Sequence, residues 1–104
     1  MPISAHRLSF RVPESFDGPS RRELGALARY RIARLEYELG LGGAWVVELT
    51  RTADGFACRV TCDAGEGEGE AQRAVHALDD AVSHLEMRVR IALGEPAPRR
   101  ALAS

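Results

Sequence analysis

The chain contains no lysine: all fourteen of its basic residues are arginines, and they stand against fifteen aspartates and glutamates. The formal net charge is therefore −1 over 104 residues. A chain this close to neutral carries no overall positive field of the kind that draws a protein onto nucleic acid. Any basic surface must be local.

Long apolar runs are missing as well. No stretch approaches the roughly 20 apolar residues that a membrane-spanning helix needs. The amino end carries His6, Arg7 and Arg11 and has no apolar core of the kind found in a signal peptide. We therefore expect a single cytosolic α+β domain over residues 1–94, followed by a disordered tail over residues 95–104.

Cysteine is scarce, and its two copies, Cys58 and Cys62, lie four residues apart. In a strand this spacing places both side chains on one face about 13 Å apart, which exceeds the roughly 7 Å that a disulfide can bridge. The spacing is also two residues too long for a Cys-x-x-Cys zinc motif. We interpret both residues as small buried apolar side chains.

Periodicity indicates a strand and a helix in the first third of the chain. Residues 7–12 alternate between polar and apolar side chains, which predicts a half-buried strand that Pro13 ends. Ser20, with Glu23 three residues later, predicts the amino-terminal cap of a helix. The apolar stripe of this helix continues to about Leu39, where a group of glycines ends it.

A β-hairpin is indicated next. Residues 44–51 and 56–63 both alternate, and an Asp54-Gly55 pair suited to a tight turn lies between them. The side chains predicted to face inward are Trp45, Val47, Leu49, Phe56, Cys58, Val60 and Cys62.

Residues 64–70 alternate glycine with glutamate. Because glycine is disfavoured in strands, we predict a flexible loop here, with a short edge strand as the alternative. An apolar stripe then predicts a long helix from about Ala71 to Leu93. The predicted order is β-α-β-β-(β)-α, with both helices on one face of a small, mainly antiparallel sheet.

Catalytic and metal-binding patterns are weak. Glu66, Glu68 and Glu70 lack the spacing that wraps a calcium ion. His76, Asp80 and His84 repeat every four residues and could hold zinc, but a helix lying on a sheet has a polar outer face in any case. The sequence contains no nucleophile elbow and no nucleotide fingerprint. We therefore predict neither an enzyme nor a small-molecule substrate.

Two helical surfaces are candidates for partner binding. Tyr30, Arg34 and Tyr37 form a stripe beside the core face of the first helix, with Arg29 and Arg31 close by. Aromatic rings beside guanidinium groups suit stacking on unpaired bases or contact with a protein, although tyrosines at a core boundary form the same pattern. The last helix carries a smaller outer patch that contains Met87, Arg88, Arg90 and Ile91.

The last helix resembles the closing helix of the ribosome hibernation-promoting factors, also called sigma-54 modulation or protein Y-like proteins. The matching positions of this helix are Ala74, Val75, Leu78, Asp79, Ala81, Val82 and Leu85. The segments LSFRV, RRELGALARYRIARLEYEL and WVVELTRT follow the order of that family's first strand, first helix and second strand. The resemblance spans about residues 3–94.

This resemblance implies a β-α-β-β-β-α fold, similar to that of double-stranded-RNA-binding domains, with both helices on one face of a four-stranded sheet. A fourth strand is thus implied where the glycines predict a loop. The implied function is binding to the small ribosomal subunit where messenger and transfer RNA pass, which stops translation during stress without catalysis or a cofactor. The residues that we assign to ribosomal RNA are Arg29, Tyr30, Arg31, Arg34, Tyr37, Arg73, Arg88 and Arg90.

A second interpretation is a protein–protein interaction or oligomerisation module, for example a homodimer, that does not bind nucleic acid. The net charge near zero favours it. The predicted exposure of Val46, Met87 and Ile91 also favours it, since exposed apolar side chains that lie together mark contact surfaces.

Overall fold

The computed structural model describes residues 8–94, which form four strands and two helices. Their bounds are β1 Leu8–Arg11, α1 Gly18–Leu39, β2 Trp45–Arg51, β3 Phe56–Cys62, β4 Gly65–Ala71 and α2 Ala74–Ala92. The predicted α+β class is confirmed. The predicted tail over residues 95–104 lies outside the described residues.

The strands form one sheet in the order in which they occur along the chain. β1 and β2 run parallel, with Phe10 opposite Val47, and α1 supplies the crossover that a parallel pair requires. β2, β3 and β4 are antiparallel neighbours. The predicted hairpin between β2 and β3 is confirmed, and the backbone N–H of Thr52 donates to the carbonyl oxygen of Gly55 at 2.9 Å.

The core lies between the sheet and the two helices. The alternating apolar residues of β2 and β3 face it as predicted, and Trp45 is completely buried. Cys58 and Cys62 are both buried and free, which confirms their interpretation as apolar core residues. The buried residues of the core are Leu24, Ala28, Ile32, Leu35, Trp45, Val47, Leu49, Cys58, Val60, Cys62, Ala77, Leu78, Ala81, Val82, Leu85 and Val89.

The loop that we predicted over residues 64–70 is wrong and the alternative, an edge strand, is confirmed, because Gly65–Ala71 forms strand β4 along β3 at the edge of the sheet. Its glycines face α2, which crosses the strand at backbone distance. A Cβ atom added to Gly67 would lie 2.7 Å from the Cβ of Leu85, and one added to Gly69 would lie 2.5 Å from the backbone nitrogen of Ala81. The close approach of α2 therefore requires glycine at these two positions. The packing of the helix against the strand outweighs the poor strand propensity of glycine.

The glutamates of β4 lie on the other face of the strand, which neither helix covers. One row of side chains on this open face alternates in charge across all four strands. The paired positions of this row, from β1 to β4, are Arg11, Glu48, Arg59 and Glu68. Opposite charges on neighbouring strands stabilise a sheet modestly.

The first helix begins three residues before the position that the Ser20 cap predicts. Asp17 is the N-cap, and its Oδ1 accepts a hydrogen bond from the backbone N–H of Ser20 at 2.7 Å. Ser20 therefore lies inside the first turn, where its N–H needs the acceptor that Asp17 provides. The predicted end of this helix is confirmed: Gly40 is the C-cap with a positive φ of 67°.

The second helix is shorter at both ends than the predicted span, Ala71 to Leu93. Ala71 belongs to β4, where it pairs with Phe56 of β3, so the helix starts only at Ala74. At its other end Leu93 is the C-cap.

Candidate functional site

The two helices lie side by side and run in the same direction, since the contacts between them advance together along both helices. Midway along α1, Arg31 forms an ion pair with Asp79 of α2, and its Nη2 lies 3.5 Å from the Oγ of Ser83. Near the end of α1, Glu38 pairs with Arg90 at 3.6 Å. Two arginines predicted to bind RNA thus connect the helices to each other.

A third predicted arginine belongs to the same set of ion pairs. Nη2 of Arg34 donates to Oε2 of Glu38 at 3.0 Å, and Nε of Arg90 donates to Oε2 of Glu86 at 3.0 Å. The hydrogen bond to Glu38 raises the pKa of Arg34, and Tyr30 contributes a smaller rise. With Arg31 and Asp79, the set holds three arginines and three carboxylates, so it carries no net charge.

Tyr30, Arg34 and Tyr37, which we predicted to form a stripe beside the core face, lie on the exposed surface of α1 and are called the tyrosine stripe below. Tyr37 is 87% exposed and Tyr30 is 59% exposed, and the Arg34 side chain is 57% exposed. Two phenol rings and one guanidinium in this arrangement can stack on flat partners and donate hydrogen bonds to anions.

Arg29 lies on a different flank of α1. A Cβ atom added to Gly25 would lie 3.8 Å from Nη1 of Arg29 and 3.8 Å from the ring of Phe10, which places Arg29 beside β1. Arg31, two residues later, faces α2. The two arginines that flank the tyrosine stripe in sequence are therefore directed to opposite sides of the helix.

Arg73 and Arg88 lie near opposite ends of α2. Arg73 is the N-cap and makes no capping hydrogen bond with its side chain. Arg88 comes fifteen residues later, about 22 Å farther along the helix axis, and its Nη1 donates to the carbonyl oxygen of Glu66 at 3.3 Å. The eight predicted residues thus do not form one continuous patch, and the tyrosine stripe is the part of the set in which three exposed side chains lie on one helix surface.

The polar stripe of α2 is exposed: His76, Asp80 and His84 all face solvent, as predicted. Nδ1 of His84 also accepts a hydrogen bond from the backbone N–H of Glu68 in β4 at 3.1 Å. Sequence reasoning missed this contact because it had assigned β4 to a loop. The two-residue period of the glycine–glutamate repeat is the signal that could have revealed it. Within residues 8–94, no group of three side chains could hold a metal ion.

The open face of the sheet contains a shallow depression of about 380 Å³, lined mainly by polar side chains of β2, β3 and β4. Glu48, Thr50, Glu68 and Glu70 surround Arg59, which lies 3.7 Å from a carboxylate oxygen of Glu68. The depression has neither the apolar walls nor the enclosure of a typical small-molecule site.

A second exposed group on α2 is apolar. Met87 and Ile91 are one helical turn apart and are 43% and 59% exposed, and Leu93 follows them at the end of the helix. Val46, which we also predicted to be exposed, is instead half-buried on the open face of the sheet.

No protein-family model matches the chain, and no curated protein matches it either. Among residues 8–94, neither helix combines the length and the apolar composition needed to cross a membrane.

Proposed function

We propose that this chain is a small ribosome-associated protein of the hibernation-promoting type, which binds RNA of the small ribosomal subunit in the cytoplasm and modulates translation under stress. The observation that carries the proposal is strand β4. The resemblance in sequence implies a four-stranded sheet with both helices on one face, even though glycine propensity argues for a loop at residues 64–70. The chain has that strand, and its element order is β-α-β-β-β-α.

The tyrosine stripe is the surface that we assign to RNA. Tyr30 and Tyr37 can stack on unpaired bases, as aromatic side chains do in sequence-tolerant RNA recognition. Arg34 lies between them and can exchange Glu38 for a phosphate oxygen, since the ion pair is exposed to water. Arg29 and Arg88 flank the stripe on other surfaces and can add phosphate contacts.

Arg31 and Arg90 have a different role in this proposal. Their ion pairs with Asp79 and Glu38 fix the position of α1 relative to α2. They therefore hold the RNA-binding surface in place and do not themselves neutralise phosphates. Binding by so few free cations predicts a shallow dependence of affinity on salt.

The test is co-sedimentation of the purified protein with ribosomes at low and at moderate salt. Replacement of Arg34 by glutamate is expected to reduce pelleting strongly, and Arg88→Glu is expected to reduce it less. Arg59→Glu is the matched control, because Arg59 is an arginine of similar exposure that forms one carboxylate pair on the open sheet face. Tyr37→Ala removes stacking without any change in charge, so its effect is expected to persist as salt is raised.

Two results would contradict the proposal. The first is a wild-type protein that does not pellet with ribosomes even at low salt. The second is equal pelleting of the Arg34 and Arg59 variants, with circular dichroism showing that both are folded.

A protein–protein interaction module is the second candidate, and the exposed pair Met87 and Ile91 favours it. Apolar side chains one turn apart on a helix can pack against the same pair of a second copy. Light scattering on the wild type and on Ile91→Ser tests this candidate. A dimer that the substitution dissociates would support it, and a monomeric wild type would exclude self-association through this pair.

A further inference from the structure

β4 is the last strand of the sheet, so within residues 8–94 one of its edges has no neighbouring strand. The N–H and C=O groups of one strand residue point to the same edge, and the direction alternates along the strand. The N–H of Glu68 points to the free edge, because it is bonded to His84 and not to β3. Glu66 and Glu70 share its direction. A free edge of this kind can pair with a strand of another molecule.

Two side chains of α2 lie on this edge. Nδ1 of His84 accepts the N–H of Glu68 at 3.1 Å, and Nη1 of Arg88 donates to the carbonyl oxygen of Glu66 at 3.3 Å. The two spacings match: four residues of helix rise about 6 Å, and two residues of strand span about 6.6 Å. One side chain per helical turn can therefore serve every second residue of the strand.

The glycines of β4 make this arrangement feasible. Gly67 and Gly69 allow the backbone of α2 to lie directly against the strand. Larger residues would hold the helix farther away, beyond the reach of an imidazole that must extend around the strand to its edge. The glycine–glutamate repeat thus has two effects. The glycines allow α2 to pack closely against one face of the strand, and the glutamates place negative charge on the opposite face.

We propose that the hydrogen bonds of His84 and Arg88 to the free edge of β4 prevent this strand from pairing with the β4 strand of a second copy of this chain. A second copy is the relevant partner because two identical strands can always pair antiparallel, and the same edge is present at the full concentration of the protein. Such a pair would also bring Glu66, Glu68 and Glu70 opposite like charges, which destabilises it. The edge therefore has a hydrogen-bonded barrier and an electrostatic barrier.

The experiment removes the barriers separately and together. One variant carries His84→Ala and Arg88→Ala, a second carries Glu66→Gln, Glu68→Gln and Glu70→Gln, and a third combines all five changes. Sedimentation equilibrium over a range of concentrations is expected to show no association through β4 in the wild type, weak association in each partial variant, and a doubled mass for the combined variant. Hydrogen exchange at the Glu68 amide locates the association.

The amide gives a second, independent readout. In dilute solution His84→Ala is expected to speed exchange at Glu68 several-fold, whereas His84→Gln, whose side-chain oxygen can accept the bond, restores part of the protection. In the associated combined variant the same amide is expected to become protected as concentration rises.

His76→Ala with Arg73→Ala is the matched control, since His76 lies on α2 and Arg73 is its N-cap. Within residues 8–94 the side chains that hydrogen-bond the free edge of β4 are those of His84 and Arg88. The control variant is expected to behave like the wild type. A combined variant that stays monomeric with unchanged circular dichroism would overturn the proposal. Association that leaves the Glu68 amide unprotected would overturn it as well. None of these measurements involves ribosomes, so the result is independent of the proposed function.

Discussion

The indole Nε1–H of Trp45 donates a hydrogen bond to Oε2 of Glu36 at 2.9 Å, which joins the first residue of β2 to the last turn of α1. The indole is completely buried, so its N–H has no access to water. The carboxylate of Glu36 therefore satisfies the polar group of the largest side chain in the core, across the loop that connects helix and strand.

Replacement of Glu36 by leucine is expected to lower the free energy of unfolding by about 1–3 kcal/mol, because a buried donor then loses its acceptor. Glu36→Gln retains an oxygen at the same position and is expected to cost clearly less. Urea denaturation followed by tryptophan fluorescence measures both changes. Equal losses in the two variants would show that the hydrogen bond does not determine stability here.

The close contact of α2 with β4 predicts that Gly67→Ala destabilises the fold by about 1–3 kcal/mol, as overpacking of a tight core does. The added methyl group would meet the backbone of α2 near Leu85, where no flexible side chain can move away. Gly42→Ala is the control, because no atom lies within 4 Å of a Cβ added there. Thermal unfolding compares the two, and similar midpoints would contradict the packing argument.

The core residues of the hairpin could be predicted from the sequence because their pattern is local. Trp45, Val47 and Leu49 alternate with polar residues, and a half-buried strand is the structure that suits this period. β4 has the same period, but its inward residues are glycines. Only the tertiary position of α2 explains why glycine is needed there, and a single sequence does not reveal that position.

In the candidate site, too, local pattern predicts some features and tertiary structure sets the others. Helical periodicity places Tyr30 and Tyr37 beside the core face, and the structure shows that both side chains are exposed. The interhelical partners of Arg31 and Arg90 do not follow from helical periodicity, because Asp79 and Glu38 lie on the other helix, about half the chain away. Ion pairing between helices converted part of a predicted binding surface into an internal contact.

Burial raises the pKa of the Cys58 thiol to about 12 from an ordinary value of 9.0. The folded protein therefore keeps a proton that the unfolded chain releases. The contribution of the buried, protonated Cys58 thiol to the free energy of unfolding is complete below pH 9 and is lost as the pH rises from there toward 12. We expect the free energy of unfolding to fall over this range less steeply in Cys58→Ala than in the wild type.

The ion pair between Arg31 and Asp79 is partly exposed, with 23% and 51% of the two side chains accessible. Solvent screening limits the contribution of this ion pair to stability. A double-mutant cycle with Arg31→Gln and Asp79→Asn is expected to give a coupling free energy of about 0.2–1 kcal/mol. Moderate salt should reduce the coupling further. A value near zero at low salt would show that packing alone sets the position of the helices.

The N-cap of α1 is Asp17, three residues before Ser20, which the sequence predicts as the cap. The hydrogen bond from the backbone of Ser20 lowers the pKa of Asp17, so the folded state favours the ionised carboxylate. This contribution is present above the pKa of the unfolded chain, near 3.8, and is lost as the pH falls through the lower folded value. Asp17→Ala is therefore expected to lower the thermal midpoint at neutral pH, and the difference from wild type should shrink in acid. Ser20→Ala should have a smaller effect, since its backbone N–H still donates to Asp17 and only the lesser contribution of the Ser20 side chain is lost. A larger loss there than at Asp17 would restore Ser20 as the cap.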